Sequence, residues 1–179
     1  LALRPTFVLA HYNRGNLLDE VSRYGEALDA YDRALALRPT FAEDHYYNRG
    51  AALRKVFRYG EAIDAYDRAL VLRPTRADAH TNRGNTLFVV SRHGEALAAY
   101  DRALALQPTY AKALSSRGNA LGKVFRHEES LAAYNRALAL QPTFYNAHFH
   151  RALVLYNLSR PGESVAAYNH ALALQPTLL

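Results

Sequence analysis

The sequence contains no cysteine, which excludes disulfide bonds, thiol catalysis and cysteine metal sites and leaves the compartment open. It has no apolar run near the roughly 18–20 residues that a membrane-spanning helix needs, so no membrane contact is expected. It also lacks an initiator Met and a signal peptide, and it starts at Leu1 inside a repeated phrase. We therefore expect a fragment or a processed piece.

Motifs that would indicate catalysis are missing as well. There is no Gly-x-Ser-x-Gly elbow and no glycine-rich loop after a strand. The segment 118–123 imitates a phosphate-binding loop, but it is one residue short and lies in a predicted helix. His11, His80 and His148 recur one repeat apart and are interpreted as a packing column rather than a metal site. The sequence predicts no catalytic residue, no metal and no cofactor, so catalysis would require a further domain.

The sequence does contain one segment that is repeated with few changes. Residues 25–40 read GEALDAYDRALALRPT, and close variants follow at regular intervals. Six prolines lie 34 or 35 residues apart: Pro5, Pro39, Pro74, Pro108, Pro142 and Pro176. A fixed period of this length indicates a stacked repeat architecture. Candidate functional residues are therefore sought where the copies differ.

Each copy predicts a helical hairpin. One apolar helical face is formed by Ala27, Leu28, Tyr31, Ala34 and Leu35, and a shorter stripe precedes it. The proline should end the second helix, and the following Thr should cap the next one, in capping boxes at 40–43 and 75–78. The pairs Asp29–Arg33 and Asp64–Arg68 are expected to interact at i,i+4. Because an isolated hairpin cannot bury its apolar faces, the copies are expected to stack.

The order Gly15, Ala27-x-x-x-Tyr31, Ala34 and Pro39 resembles the tetratricopeptide repeat. It occurs in five copies, with Ser at the first Ala position in the fourth and fifth and Ala152 at the Gly position in the fifth. The resemblance implies an all-α, right-handed superhelical solenoid of antiparallel helix-turn-helix repeats. Residues 1–7 would end a preceding repeat's second helix, and the five repeats would span 8–41, 42–76, 77–110, 111–144 and 145–179 in one solenoid domain. The one extra residue of the second repeat is expected in the turn at 41–44.

Arginines recur at two fixed places in each copy, which accounts for much of the net charge of +6. We interpret both columns as bracing the fold rather than binding phosphate. The first column is expected to meet the glutamate after its own turn or a neighbouring carboxylate. Its members are Arg14, Arg49, Arg83, Arg117 and Arg151, and the glutamates are Glu26, Glu61, Glu95, Glu129 and Glu163.

In the family that the chain resembles, the first helix of each repeat lines a concave groove. The groove residues that this implies are Tyr12, Asn13, Asn16, Tyr47, Asn48, Arg54, Lys55, Asn82, Asn85, Phe88, Asn119, Lys123, Phe149 and Tyr156. Their mixed chemistry suits an extended peptide, and an amide can bind a peptide backbone irrespective of its sequence. The asparagine column resembles the ladder of O-linked N-acetylglucosamine transferases. No Lys stands where the family's clamp for a C-terminal carboxylate has one, which argues against chaperone-tail binding.

The leading prediction is a non-catalytic scaffold that binds an extended peptide or a partner surface. One alternative is the substrate-recruiting arm of a glycosyltransferase of that type. Another is an array that stacks head to tail, since neither end carries a polar capping element. Nucleic-acid binding by pentatricopeptide-type hairpins fits the spacing less well. Phe57 and Phe125, at the hairpin turns, should either fold back over their own hairpins or dock a partner.

Overall fold

The computed structural model describes residues 5–38 and 42–174. Within these ranges the chain forms α-helices and no strand, which confirms the all-α prediction. The helices are α1 (Pro5–Glu20), α2 (Tyr24–Leu37), α3 (Glu43–Lys55), α4 (Tyr59–Leu72), α5 (Ala77–Val89), α6 (His93–Leu106), α7 (Ala111–Lys123), α8 (His127–Leu140), α9 (Tyr145–Asn157) and α10 (Pro161–Leu174). Because α1 already begins at Pro5, residues 5–7 belong to it and not to a preceding helix.

The chain divides into two compact units, Leu1–Val90 and Ser91–Leu179, called unit 1 and unit 2 below. In unit 1 the hairpins α1/α2 and α3/α4 pack internally, α2 packs on α3, and α4 packs on α5. In unit 2 the hairpins are α7/α8 and α9/α10, with α6 on α7 and α8 on α9. Each unit therefore buries its apolar faces by stacking successive hairpins, as expected for repeats.

The signature glycine and tyrosine form one contact in the first, second and fourth repeats. A Cβ on Gly15 would lie 2.6 Å from Cε1 of Tyr31, and a Cβ on Gly118 would lie 2.9 Å from Cε1 of Tyr134. Both rings are almost completely buried. The two helices of a hairpin thus approach at a distance that leaves no room for a side chain at the glycine.

The second residue after α1, α3, α5, α7 and α9 is in the left-handed region, with φ between 58° and 62°: Ser22, Phe57, Ser91, Phe125 and Ser159. In the first turn, the Ser22 N–H donates to the Asp19 carbonyl and the Arg23 N–H donates to the Leu18 carbonyl, which is a Schellman motif. Phe57 and Phe125 are 76% and 82% exposed. Each ring lies edge-on against the second residue after it, Phe57 against Tyr59 at 6.1 Å and Phe125 against His127 at 6.0 Å between ring centres. The rings therefore contact their own hairpins but are not covered by them.

The connection between α4 and α5 does not use the expected threonine cap. Helix α5 begins at Ala77, so its N-cap is Arg76 rather than Thr75, and no side chain caps it. Thr75 lies in the preceding turn, one residue too early to reach the orphan amides. The Ala79 N–H instead donates to the Asp78 carboxylate at 2.8 Å. Pro39, Thr40 and Phe41 lie outside the described residues, as does Pro176. The α2–α3 connection is one residue longer than the later ones.

Both arginine columns pair, but differently from expectation. The first column reaches the second helix of the preceding repeat: Arg49 Nε donates to Asp32 at 2.6 Å and Arg117 Nε donates to Asp101 at 2.7 Å. The glutamates after the turn pair instead with the second column, as in Arg58–Glu61 at 2.6 Å. For Arg49 and Arg117, the predicted pairing with the glutamate after their own turn is therefore wrong. The alternative prediction, a pairing with a neighbouring carboxylate, is confirmed.

The other three members of the first arginine column have different kinds of partner. Arg83 pairs with Asp67, whereas Arg151 donates at 2.6 Å to the Asn135 amide, which carries no charge. Arg14 lies 3.7 Å from Glu26. The i,i+4 pairs Asp29–Arg33 and Asp64–Arg68 are not among the ion pairs of the described ranges, in keeping with the small gain that exposed pairs offer.

Candidate functional site

The candidate site in unit 1 is built on the first helices α1, α3 and α5. Asn48 Nδ2 donates to the Tyr12 hydroxyl at 3.0 Å and to Asn16 Oδ1 at 2.9 Å. The Tyr31 hydroxyl, from the second helix α2, also donates to Asn16 Oδ1, at 2.9 Å. These four side chains are called the amide network. Because its internal bonds use Asn48 Nδ2 and Asn16 Oδ1, the opposite polar atoms, Asn48 Oδ1 and Asn16 Nδ2, are left for a ligand.

The same pattern continues from α3 to α5. Asn82 Nδ2 donates to the Tyr47 hydroxyl at 2.8 Å. The Arg76 guanidinium lies 3.8 Å from the centre of the Tyr47 ring and pairs with Asp44 and Asp78. Burial and the Asp78 carboxylate raise the pKa of Tyr47. Tyr47 is therefore held in place, and Asn82 Oδ1 is the polar atom left over.

A cavity of about 230 Å³ lies between α1 and α3. At its edge, Lys55 Nζ donates to Asp19 Oδ2 at 2.7 Å. Among the residues that line it, one buried polar atom has no hydrogen-bond partner, Asp19 Oδ1. The lining residues are Asn16, Asp19, Glu20, Tyr31, Asn48 and Ala51.

The corresponding surface of unit 2, on α7 and α9, has different chemistry. The Tyr134 hydroxyl donates to Asn119 Oδ1, as Tyr31 does to Asn16. The His150 ring stacks on Tyr134 with centroids 6.4 Å apart, and burial and then Lys123 lower the pKa of His150. Phe149 packs edge-on against Tyr168. This surface is therefore aromatic, with Lys123 near His150.

The predicted groove residues all lie on first helices, but they are not one cluster. The structure joins Tyr12, Asn16 and Asn48 in one network, and Tyr47 and Asn82 in a second. Asn13 and Tyr156 are exposed, and Asn85 and Phe88 are half-buried on α5. Lys55 neutralises Asp19 rather than facing a ligand alone.

Sequence reasoning missed Tyr31 and Arg76 as contributors to the site. Tyr31 belongs to the repeat signature and was assigned to packing alone. Arg76 could have been found as a position at which the copies differ, because Tyr110 and Phe144 stand at the same place in the next two copies. In the described ranges, no group of three or more His, Asp or Glu side chains could hold a metal ion. No helix there is long and apolar enough to cross a membrane.

A tetratricopeptide repeat model matches residues 8–41, 44–76 and 77–110, which together make up more than half of the chain. The chain belongs to the tetratricopeptide repeat family. Two further models of such repeats match residues 126–159 and 145–178. The resemblance inferred from Gly15, Tyr31 and their later counterparts is thus confirmed.

Solved structures show the same fold. A crystal structure of MamA is 23% identical with a TM-score of 0.82, covering 90% of this chain and 94% of that one. MamA from Desulfovibrio magneticus RS-1 is 20% identical with a TM-score of 0.87, covering 96% of each. YrrB, described as a TPR protein with an unusual peptide-binding site, is 24% identical with a TM-score of 0.76, covering 94% and 86%. A search of curated proteins gave no match.

Proposed function

We propose that this chain is a non-catalytic interaction scaffold that binds an extended peptide on the first helices of unit 1. The observation that carries the proposal is the amide network. It leaves Asn16 Nδ2 as a donor and Asn48 Oδ1 as an acceptor, and Asn82 Oδ1 adds a second acceptor. A peptide backbone presents alternating N–H and C=O groups, which these atoms can bind.

Fixed side chains make such a surface effective. Asn16 and Asn48 are each held by hydrogen bonds from or to neighbouring helices, so little rotamer freedom remains to be lost on binding. The peptide-binding description of YrrB, which shares the fold, supports the same role. The recruiting arm of a glycosyltransferase stays a prediction from the asparagine column, and no contact of the described residues favours it over the scaffold.

The test uses peptides selected from a random library displayed on phage, with the whole chain as bait. Asn48→Ala removes two hydrogen bonds of the network and the free Oδ1, so affinity should fall about tenfold or more. Arg33→Ala, on the exposed side of α2, is the matched control and should leave affinity unchanged. Peptides that bind wild-type protein and Asn48→Ala equally well would overturn the proposal.

A finer proposal concerns self-association. Leu17 on α1 is 64% exposed, whereas its counterparts Ala52 and Thr86 are fully buried. On α10, Val165 is 59% exposed, whereas the corresponding Leu131 is buried. We propose that these two faces bind each other between copies, head to tail, as α8 binds α9 within unit 2. Val165→Glu should then lower the mass measured by light scattering at high concentration. A wild-type monomer at every concentration would contradict this contact.

A further inference from the structure

One histidine stands where the other copies of the repeat have alanine. His45 is the third residue of α3, and its counterparts in the other first helices are Ala10, Ala79, Ala113 and Ala147. The last three are completely buried, and His45 is only 9% exposed. A titratable ring therefore occupies a place that elsewhere takes a single methyl group.

Both ring nitrogens of His45 are buried, and neither has a hydrogen-bond partner. A neutral imidazole carries one N–H donor and one acceptor nitrogen, and buried polar atoms of this kind are normally paired. Water would pair both nitrogens if the ring were exposed. His45 therefore lowers the stability of the packing around it even while it is neutral.

The ring of His45 connects the interface between the first two repeats to the amide network. It lies against Tyr12 of α1, with ring centres 4.2 Å apart. The Tyr12 hydroxyl accepts a hydrogen bond from Asn48 Nδ2, which also donates to Asn16 Oδ1. A movement of α1 away from α3 that exposes His45 would thus break both hydrogen bonds of Asn48.

The charged groups near His45 on its own helix are already paired. Glu43 forms an ion pair with Arg73 at 3.6 Å, and Asp44 pairs with Arg76. Burial lowers the pKa of His45 below 6.5, and Asp44 and Glu43 oppose this change without reversing it. The positive end of the α3 dipole also disfavours an imidazolium in the first turn. The packed ring therefore stays neutral to a lower pH than an exposed histidine does.

Two phenols of the first hairpin, α1/α2, are part of this packing. Tyr12 of α1 lies on the His45 ring, and Tyr31 of α2 lies 6.2 Å from Tyr12 between ring centres. Burial raises the pKa of Tyr31, so its hydroxyl carries no charge in the acidic range. Neither phenol can compensate the charge of a protonated His45, so protonation is favoured where the ring reaches water.

From this arrangement we propose that His45 makes the packing of the first hairpin on α3 sensitive to pH, so that acidification opens the amide network and weakens peptide binding. The proposal rests on the proposed function and adds a regulation of that site. Where the hairpin has moved away, the exposed imidazole binds a proton with its ordinary pKa of 6.5, whereas the packed ring has a lower pKa. Below that pH the open state binds more protons, so the packed state loses stability as the pH falls. Its equilibrium constant should decrease by up to about tenfold per pH unit.

Amide hydrogen exchange of the whole ¹⁵N-labelled chain, followed by NMR from about pH 7.5 to about pH 5, measures this opening directly. After correction for the intrinsic exchange rates, the protection of the α1 amides should fall by up to about tenfold per pH unit below about pH 6.5. Two variants remove the titrating group. His45→Ala carries the residue of the other copies, and His45→Gln keeps a polar side chain. Both should lose this pH dependence.

His150→Ser is the matched control. Burial and then Lys123 lower the pKa of His150 as well, but this residue belongs to unit 2, and the fourth copy has Ser116 at its place. The variant should retain the pH dependence of the α1 amides. The library peptides supply a second readout, because their affinity should fall on acidification for wild-type protein and His150→Ser but not for His45→Ala.

Three results would overturn the pH proposal: α1 protection that does not change with pH in wild-type protein, an equal change in both His45 variants, or a peptide affinity that falls equally with and without His45. The proposed function is judged separately by Asn48→Ala. If the peptides depend on Asn48 while pH acts equally with and without His45, the scaffold stands and the pH proposal fails. If the α1 protection depends on His45 but the peptides are indifferent to Asn48, the pH-sensitive packing stands and the proposed function fails.

Discussion

The α1–α2–α3 region of unit 1 and the α7–α8–α9 region of unit 2 share one framework and differ in chemistry. In both, a glycine contacts a buried tyrosine ring whose hydroxyl donates to the next asparagine. One turn further, unit 1 has Asp19 and Glu20 whereas unit 2 has Gly122 and Lys123. The signature residues therefore position the surface, and two variable residues reverse its charge.

The shared glycine–tyrosine contact gives the largest expected effect. Gly15→Ala and Gly118→Ala would place a Cβ 2.6 Å and 2.9 Å from a buried ring. Overpacking of this kind costs about 1–3 kcal/mol. Urea denaturation should show both losses if the two regions rely on the same contact.

Gly122→Ala is the control for those variants. Its Cβ would lie 3.5 Å from Ser130 Oγ, an ordinary contact. Replacing a helical glycine by alanine should then stabilise the protein by up to about 1 kcal/mol. A loss for Gly122→Ala as large as that for Gly118→Ala would show that the tyrosine contact is not what matters.

The buried tyrosines differ in whether their hydroxyl donates to an asparagine. Tyr31 and Tyr134 do so, and Tyr66 does not. Tyr31→Phe and Tyr134→Phe each remove a hydrogen bond to asparagine and should cost about 1 kcal/mol. Tyr66→Phe removes a buried hydroxyl that makes no hydrogen bond of normal geometry and interacts with the Arg54 guanidinium, so it should cost less than either of the other two changes. Thermal and urea unfolding of the three variants measure this. An equal loss in all three would show that Arg54 stabilises Tyr66 as much as an asparagine stabilises the other tyrosines.

The hairpin turns offer one comparable position in each unit. Phe57 and Phe125 have φ of 62° and 60° and are largely exposed. Because glycine adopts this conformation without steric strain, Phe57→Gly and Phe125→Gly should each stabilise by about 0.5–1 kcal/mol. Phe57→Ser keeps the strain that Ser22 already bears and should change the stability little. Destabilisation by both glycine variants would show that the edge-on contacts of these rings with Tyr59 and His127 outweigh the relief of backbone strain.

The smallest expected effect concerns the histidines of the two regions. Burial lowers the pKa of both His45 and His150, and Lys123 lowers that of His150 further, while Asp44 and Glu43 oppose the change at His45. Between the folded pKa and 6.5, the unfolded chain binds more protons. Stability should therefore fall as the pH drops below about 6.5.

Lys123→Gln tests whether the Lys123 charge contributes to the lowered pKa of His150, because the change removes that charge. The pKa of His150, followed by NMR of the ring protons, should rise toward its ordinary value, and that of His45 should not move. The stability lost on acidification should decrease accordingly. An unchanged His150 would mean that burial alone lowers its pKa.

The sequence by itself determined the helical hairpins, their period and the family, because each depends on spacing within one copy. Gly15, Tyr31 and Pro74 each have a structural role within their own repeat, and equivalent residues recur in other copies. Even the groove side chains could be placed on the first helices, since a helix face follows from periodicity.

Only the tertiary structure decided which side chains meet between copies. It directed Arg49 to Asp32 rather than to a glutamate of its own hairpin, and it used one half of each amide in the network. It also left Asp19 Oδ1 buried without a hydrogen bond and placed the Tyr66 hydroxyl beside Arg54 instead of an asparagine. These outcomes depend on how neighbouring repeats pack. The arginine contacts recur at a separation of 16 or 17 residues, but the periodicity of one copy does not say which side chains of two neighbouring copies face each other.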